Sequence, residues 1–213
     1  MRITKLGHSC LLVEEGSARI LVDPGAFSSG YDDLSDLDAV LVTHQHFDHL
    51  AVDRLKGVLA KNPQATLAVD PGSAEQLSQQ GVGTATPVTD GDILDIVGVE
   101  VRGFGKDHAL FHPDAGTIPN TGYFIGGRLL HPGDALTVPD FAVDVLAVPV
   151  VAPWSSIRET IDFVRAVSPG TAFPIHDAII VEGARPIFDD SVEKLGLQGK
   201  GRWVRIDEAP LEV

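Results

Sequence analysis

Short apolar runs separated by turn residues recur through the first third of the chain. Arg2–Leu6 and Cys10–Glu14 read as strands and Glu15-Gly16-Ser17 as a turn. Arg19–Val22 is a third strand, stopping at Asp23-Pro24. Ala39-Val40-Leu41-Val42 is apolar at every position, the pattern of a strand covered on both faces. It stops at Thr43-His44. The period then changes: Val52–Lys61 places Leu55, Val58 and Leu59 on one helical face. Thr66–Val69 predicts a short strand, and Ser73–Gln80 a helix closed by Gly81. Further β runs lie at Ile93–Val97 and Val99–Phe104. Gly126-Gly127, between Tyr123–Ile125 and Arg128–His131, predicts a two-residue hairpin loop. Val143–Val148 reads as another buried strand. Ser156–Val167 is the clearest helix: Ser156 with Glu159 makes a capping box, and Ile157, Ile161, Val164 and Val167 share a face. Ala172–Ile175 is a strand ending at His176. A helix near Ile187–Leu195 and a strand near Arg202–Ile206 finish the chain.

Many strands interleaved with a few helices predict an α/β (α+β) chain, two packed sheets with helices outside. No linker, low-complexity tract or repeat interrupts it. Residues 1–213 therefore read as a single domain, long enough for one full core.

Composition narrows the chemistry. The net charge of −14 comes without any cluster of Lys and Arg, so a grip on a nucleic-acid backbone is not expected. Gly7, His8 and Ser9 break the apolar stretch that a signal peptide needs after Arg2 and Lys5. No run approaches the roughly 20 apolar residues that span a bilayer. The one cysteine, Cys10, allows no internal disulfide, and its apolar neighbours make it a core thiol. These features predict a cytoplasmic protein with no membrane partner.

The chemical signal is Thr43-His44-Gln45-His46-Phe47-Asp48-His49-Leu50. Four potential metal ligands fall in this short loop, directly after a buried strand. Imidazole nitrogens suit Zn²⁺ and related ions, and carboxylates complete such sites. A tight loop can aim His44 and His46 at one centre, Asp48 and His49 at another. Two ligands per metal are too few, so the rest of the chain must supply more. His108, His131 and His176 each sit where a strand ends, and Asp134 follows the Pro132-Gly133 turn. Trp154, after Ala152-Pro153, is a candidate wall for a substrate pocket, which the loop His108–Asn120 and the segment Val151–Ser156 are expected to shape.

His44-x-His46-x-Asp48-His49 resembles the defining motif of the metallo-β-lactamase superfamily. Gly7-His8-Ser9-Cys10, Asp23-Pro24, Gly133-Asp134 and Pro174-Ile175-His176 match in order and spacing, over nearly the whole chain. These smaller features most resemble the branch that contains L-ascorbate-6-phosphate lactonase. The resemblance implies a four-layer αββα sandwich holding two divalent ions, Zn²⁺ or alternatively Mn²⁺, Fe²⁺ or Ni²⁺. It implies His44, His46 and His108 on the first ion and Asp48, His49 and His176 on the second. Asp134 would bridge both, and Asp23 would brace the loop. His112, four residues after His108, is the alternative third ligand, or else a substrate contact.

The mechanism implied is hydrolysis by a hydroxide held between the ions, with Asp48 orienting it and shuttling a proton, and His112 or His8 assisting. Two ions, two carboxylates and one hydroxide leave a net positive centre, which favours an anionic substrate. The expected reaction is cleavage of an ester, lactone or phosphate-ester bond of a small anionic metabolite. An RNA-processing phosphodiesterase is one alternative, although the chain lacks an RNA-gripping arm. A non-catalytic metal-binding sensor or scaffold is another. The flavodiiron relatives carry Glu where this chain has His46, and the antibiotic-hydrolysing enzymes generally lack the bridging aspartate.

Overall fold

The computed structural model describes residues 1–207 and 209–213. Its strands are β1 (Arg2–Lys5), β2 (Leu11–Glu15), β3 (Ala18–Val22), β4 (Ala39–Val42), β5 (Thr66–Val69), β6 (Thr86–Pro87) and β7 (Ile93–Ile96). Then follow β8 (Val99–Phe104), β9 (Gly122–Ile125), β10 (Leu129–His131), β11 (Val145–Pro149), β12 (Thr171–Ile175), β13 (Arg202–Trp203) and β14 (Leu211–Glu212). The α-helices are α1 (Val52–Lys61), α2 (Pro71–Gln79), α3 (Ile157–Val167) and α4 (Arg185–Ser191), the last running into a π-helical stretch at Val192–Leu197. Two seven-stranded sheets result, in the orders β14-β1-β2-β3-β4-β5-β6 and β13-β12-β11-β10-β9-β8-β7.

The layers follow from the alternation of side chains along each strand. Ile20, Val22, Ala39, Leu41 and Ala68 face inward and meet Val101, Ile125, Val145, Ala147 and Phe173 of the other sheet. The residues between them, Leu21, Val40, Val42, Leu67 and Val69, face outward against Leu55 and Val58 of α1 and Leu77 of α2. On the far side Leu130, Leu146, Val148 and Ala172 lie under Phe163 and Val164 of α3. The result is an αββα sandwich. The fully apolar run Ala39–Val42 is explained: it is buried on both faces.

Several elements differ from the sequence reading. Helix α2 begins at Pro71, not Ser73, because the Asp70 carboxylate caps the amides of Gly72 and Ser73 and proline suits the first turn. The β9–β10 loop has three residues, since Ile125 pairs with Leu129 and Arg128 is drawn off to Asp144. The short strands β6 and β14 carry too few residues for a visible period. Strand β13 ends at Trp203 rather than Ile206.

Strand β4 runs parallel to β3 and β5, and β11 parallel to β10 and β12. The C-terminal ends of neighbouring parallel strands therefore share an edge, where loops can converge. Asp23 follows β3, the His44–His49 loop follows β4, Asp134 follows β10 and His176 follows β12.

Candidate metal centre

The loop after β4 is held from below. Asp23, fully buried, accepts from the Thr43 amide at 2.7 Å and from the Thr43 hydroxyl at 2.8 Å. Its Oδ2 also lies 2.7 Å from His49 Nδ1. Gly25 lets the Asp23-Pro24 turn press on this loop, for a Cβ there would stand 1.7 Å from the Asp48 carbonyl oxygen. On the opposite sheet Asn120 accepts from the Asp134 amide at 3.0 Å and donates to the Pro132 carbonyl at 2.9 Å. Gly133 (φ +63°) is required there, because a Cβ would lie 2.4 Å from Asn120 Oδ1 and 2.7 Å from Thr43 Cβ.

These supports bring two groups of ligand atoms together, each within 4.8 Å of one another: His44, His46, His108 and Asp134, and then His8, Asp48, His49 and His176. Asp134 also touches the second group. Its Oδ2 is 3.4 Å from His108 Nε2, 3.8 Å from His44 Nε2 and 3.2 Å from His176 Nε2. Its Oδ1 is 3.1 Å from His49 Nε2, yet the two are not aligned for a hydrogen bond.

The donor set fits metal ions by its own chemistry. His108 Nδ1 donates to the Ala109 carbonyl at 2.7 Å and His176 Nδ1 to the Val151 carbonyl at 2.5 Å. With His49 Nδ1 held by Asp23, three rings present their Nε2 atoms to the centre. His49 Nε2, His108 Nε2 and Asp134 Oδ1 are buried with no hydrogen-bond partner. Such atoms are costly unless something else binds them, and divalent cations are the natural occupants.

Charge reinforces this. Burial alone raises the Asp134 carboxyl, but His49 and His176 reverse that and hold it well below the usual carboxylate range. Burial likewise raises Asp48, and its hydrogen bonds to His176 and His8 more than compensate, leaving it ionised. Burial pushes the His44 ring well down, into the neutral form that binds metals.

The other expected residues divide. His8 Nε2 lies 3.2 Å from Asp48 Oδ2, while its Nδ1 faces the Ala178 amide at 3.4 Å. An N–H aimed at Nδ1 leaves the proton on Nε2, so His8 donates to Asp48. His112 is exposed, caps the turn Pro113–Ala115 by accepting from the Asp114 amide, and belongs to neither ligand group among the described residues. His131 is satisfied by backbone, donating to the Ser9 carbonyl and accepting from the Gly133 amide, and so braces the Gly133-Asp134 turn. Trp154 does wall a pocket, and its indole N–H also donates to Asp134 Oδ2 at 3.0 Å. Sequence reasoning missed that bond, and missed Thr43 and Asn120. Their only signal was position: Thr43 precedes the histidine loop, and Asn120 faces a Gly-Asp turn distant in sequence.

Two mixed sheets between helices, with histidines and aspartates from both gathered at one edge, define the metallo-β-lactamase fold. The chain belongs to the metallo-β-lactamase superfamily: the family model described as the Beta-lactamase superfamily domain matches residues 2–176. It is 47% identical over 193 residues to Protein Rv0786c of Mycobacterium tuberculosis, covering 88% of this chain and 89% of that one. It is 29% identical over 220 residues to the UPF0173 metal-dependent hydrolase MK1542 of Methanopyrus kandleri, covering 92% and 94%. Among solved structures, Igni18, a metallo hydrolase from Ignicoccus hospitalis, superposes with a TM-score of 0.74 at 21% identity, covering 100% of this chain and 98% of that one. Among the described residues no helix is long and apolar enough to cross a membrane.

Proposed function

We propose that this chain is a metal-dependent hydrolase of small molecules, working with two divalent ions. His44, His46 and His108 would hold the first, Asp48, His49 and His176 the second, and Asp134 would serve both. The observation that carries this reading is the Asp134 carboxylate, which lies within 4 Å of His44 and His108 on one side and of His49 and His176 on the other. The nitrogen-rich donor set favours Zn²⁺. Bound there, the ions would acidify a water at neutral pH and act as a Lewis acid toward the substrate oxygen.

The chain's own groups do the rest. Asp48, ionised, takes the proton of the attacking water and passes it to the departing oxygen. His8 positions Asp48 by donating to Oδ2. Trp154, donating to Asp134 Oδ2, fixes the carboxylate between the two ligand groups. The scissile bond is a carboxylic ester, lactone or phosphate ester: water's oxygen bonds to the acyl carbon or phosphorus, and the bond to the leaving oxygen breaks.

Turnover of methyl esters, lactones and phosphate diesters, with and without added Zn²⁺ and Mn²⁺, tests this reading. Metal-dependent hydrolysis of at least one class is expected. Full metal occupancy with no hydrolysis of any class would favour the sensor or scaffold alternative. The support for hydrolysis over a passive metal site is Asp48, which is half-buried and faces the pocket beside His46 and His176.

A further inference from the structure

The cavity above the metal centre measures about 310 Å³, at the small end of the ~300–1,000 Å³ of small-molecule sites. His46, Asp48, His108, Asp134 and His176 form its floor. Its walls come from two segments: residues 109–118, with Ala109, Phe111, Ala115 and Ile118, and then Pro153-Trp154.

Among the described residues no Lys or Arg lines this cavity. The polar side-chain groups of the walls are already engaged. The Thr117 hydroxyl donates to the His108 carbonyl at 2.7 Å, and the Trp154 N–H donates to Asp134. Lys5 and Arg185 line a different cavity, of about 440 Å³, which His8 shares, and there Lys5 is paired with Asp177. An anionic group away from the scissile bond would enter an apolar wall with no counter-charge, at a large desolvation cost. A separate phosphate, of the kind the lactonase resemblance implied, meets no Lys or Arg within this cavity.

We propose that the substrate is an uncharged carboxylic ester or lactone whose short aliphatic part packs against Phe111, Ile118 and Trp154. This rests on the hydrolase reading above. In the reaction, water's oxygen bonds to the acyl carbon, the acyl C–O bond breaks, and the proton taken by Asp48 goes to the departing alkoxide. One carboxylic acid and one alcohol, or one hydroxy acid from a lactone, are formed.

Two measurements test the assignment. The first compares kcat/KM of the Zn²⁺-loaded protein for methyl hexanoate and its ω-carboxylate counterpart monomethyl adipate, with δ-hexanolactone alongside, by acid release, and for a phosphate monoester by phosphate release. Methyl hexanoate should exceed monomethyl adipate by ~10-fold or more. Phe111→Lys, at an exposed position, should narrow that ratio. Preference for the carboxylated ester or the phosphate monoester overturns the proposal. The second reads binding without turnover. In the Trp203→Phe protein Trp154 is the sole indole, and its fluorescence reports uncharged aliphatic amides from acetamide to hexanamide. Each added CH₂ should tighten Kd by about two- to fourfold until the cavity is full. No dependence on chain length overturns the proposal. Chain-length-dependent binding with no hydrolysis of any ester keeps the wall assignment and removes the hydrolase reading alone.

Discussion

Oδ2 of Asp23 lies 2.7 Å from Nδ1 of His49, and both side chains are fully buried. The contact fixes which nitrogen of His49 faces the centre, and the same carboxylate fastens the loop through Thr43. Such partners of ligating histidines typically account for ~10–100-fold in metal affinity. Asp23→Asn should therefore weaken metal binding by about that factor while the fold survives. Competition against a chelator, with circular dichroism as the control, reads it. Unchanged affinity would mean that His49 needs no anchor.

His46 and His112 make a contrasting pair. His46 lies within the first ligand group, its Nδ1 3.1 Å from His44 Nε2, whereas His112 is an exposed turn cap. His46→Ala should abolish turnover and lower the metal content. His112→Ala should leave kcat/KM within about threefold, the result expected when a surface group touches neither ligand set. A large loss in His112→Ala would restore it as a substrate contact.

Gly133 should tolerate no side chain. Its φ of +63° disfavours any L residue, and the added Cβ would meet Asn120 and Thr43, which support opposite walls of the centre. Gly133→Ala should destabilise the protein by more than about 1 kcal/mol and displace Asp134. Urea unfolding read beside metal content separates the two effects. Wild-type stability with wild-type metal content would refute the close approach.

Protonation and metal compete at His176. Burial disfavours its charged form, but Asp134 and Asp48 push its pKa up to about 9 in the metal-free protein, against an ordinary 6.5. A raised folded pKa stabilises the fold fully below about pH 6.5, and that contribution is lost as pH climbs through about 9. It amounts to at most on the order of 3 kcal/mol. Metal needs the neutral ring, so loading at about pH 7.5 should release at least one proton. Calorimetry in buffers of different ionisation enthalpy measures this. Proton-neutral binding would remove His176 from the ligand set.

The sequence made much of this visible, for physical reasons. Strand β4 could be read because four consecutive apolar residues need cover on both faces, and the next loop carried four ligand types. Helix α3 could be read from its capping box, which the structure shows formed. The start of α2 was hidden because Asp70 looks like a strand residue until Pro71 is seen as a first helical position. Strands β6 and β14 are two residues each, too short to show an alternating side-chain pattern. At the site, histidines and aspartates announce themselves by type. Thr43, Asn120 and the indole N–H of Trp154 do not, because their roles depend on contacts between segments far apart in sequence. The loop His108–Asn120 and the segment Val151–Ser156 could be named as shaping the pocket, and residues within 108–118 with Pro153-Trp154 do line it. What they recognise could not be read, because apolar side chains on a loop show their packing partners only once the loop is placed.

The central claim is a two-ion centre bridged by Asp134, and its most direct test is metal stoichiometry. Elemental analysis of protein purified without chelators should give about two divalent ions per chain. Asp134→Ala should reduce both ions together, since the carboxylate serves both ligand groups. One ion per chain in the wild type, or loss of only one in Asp134→Ala, would contradict the bridge.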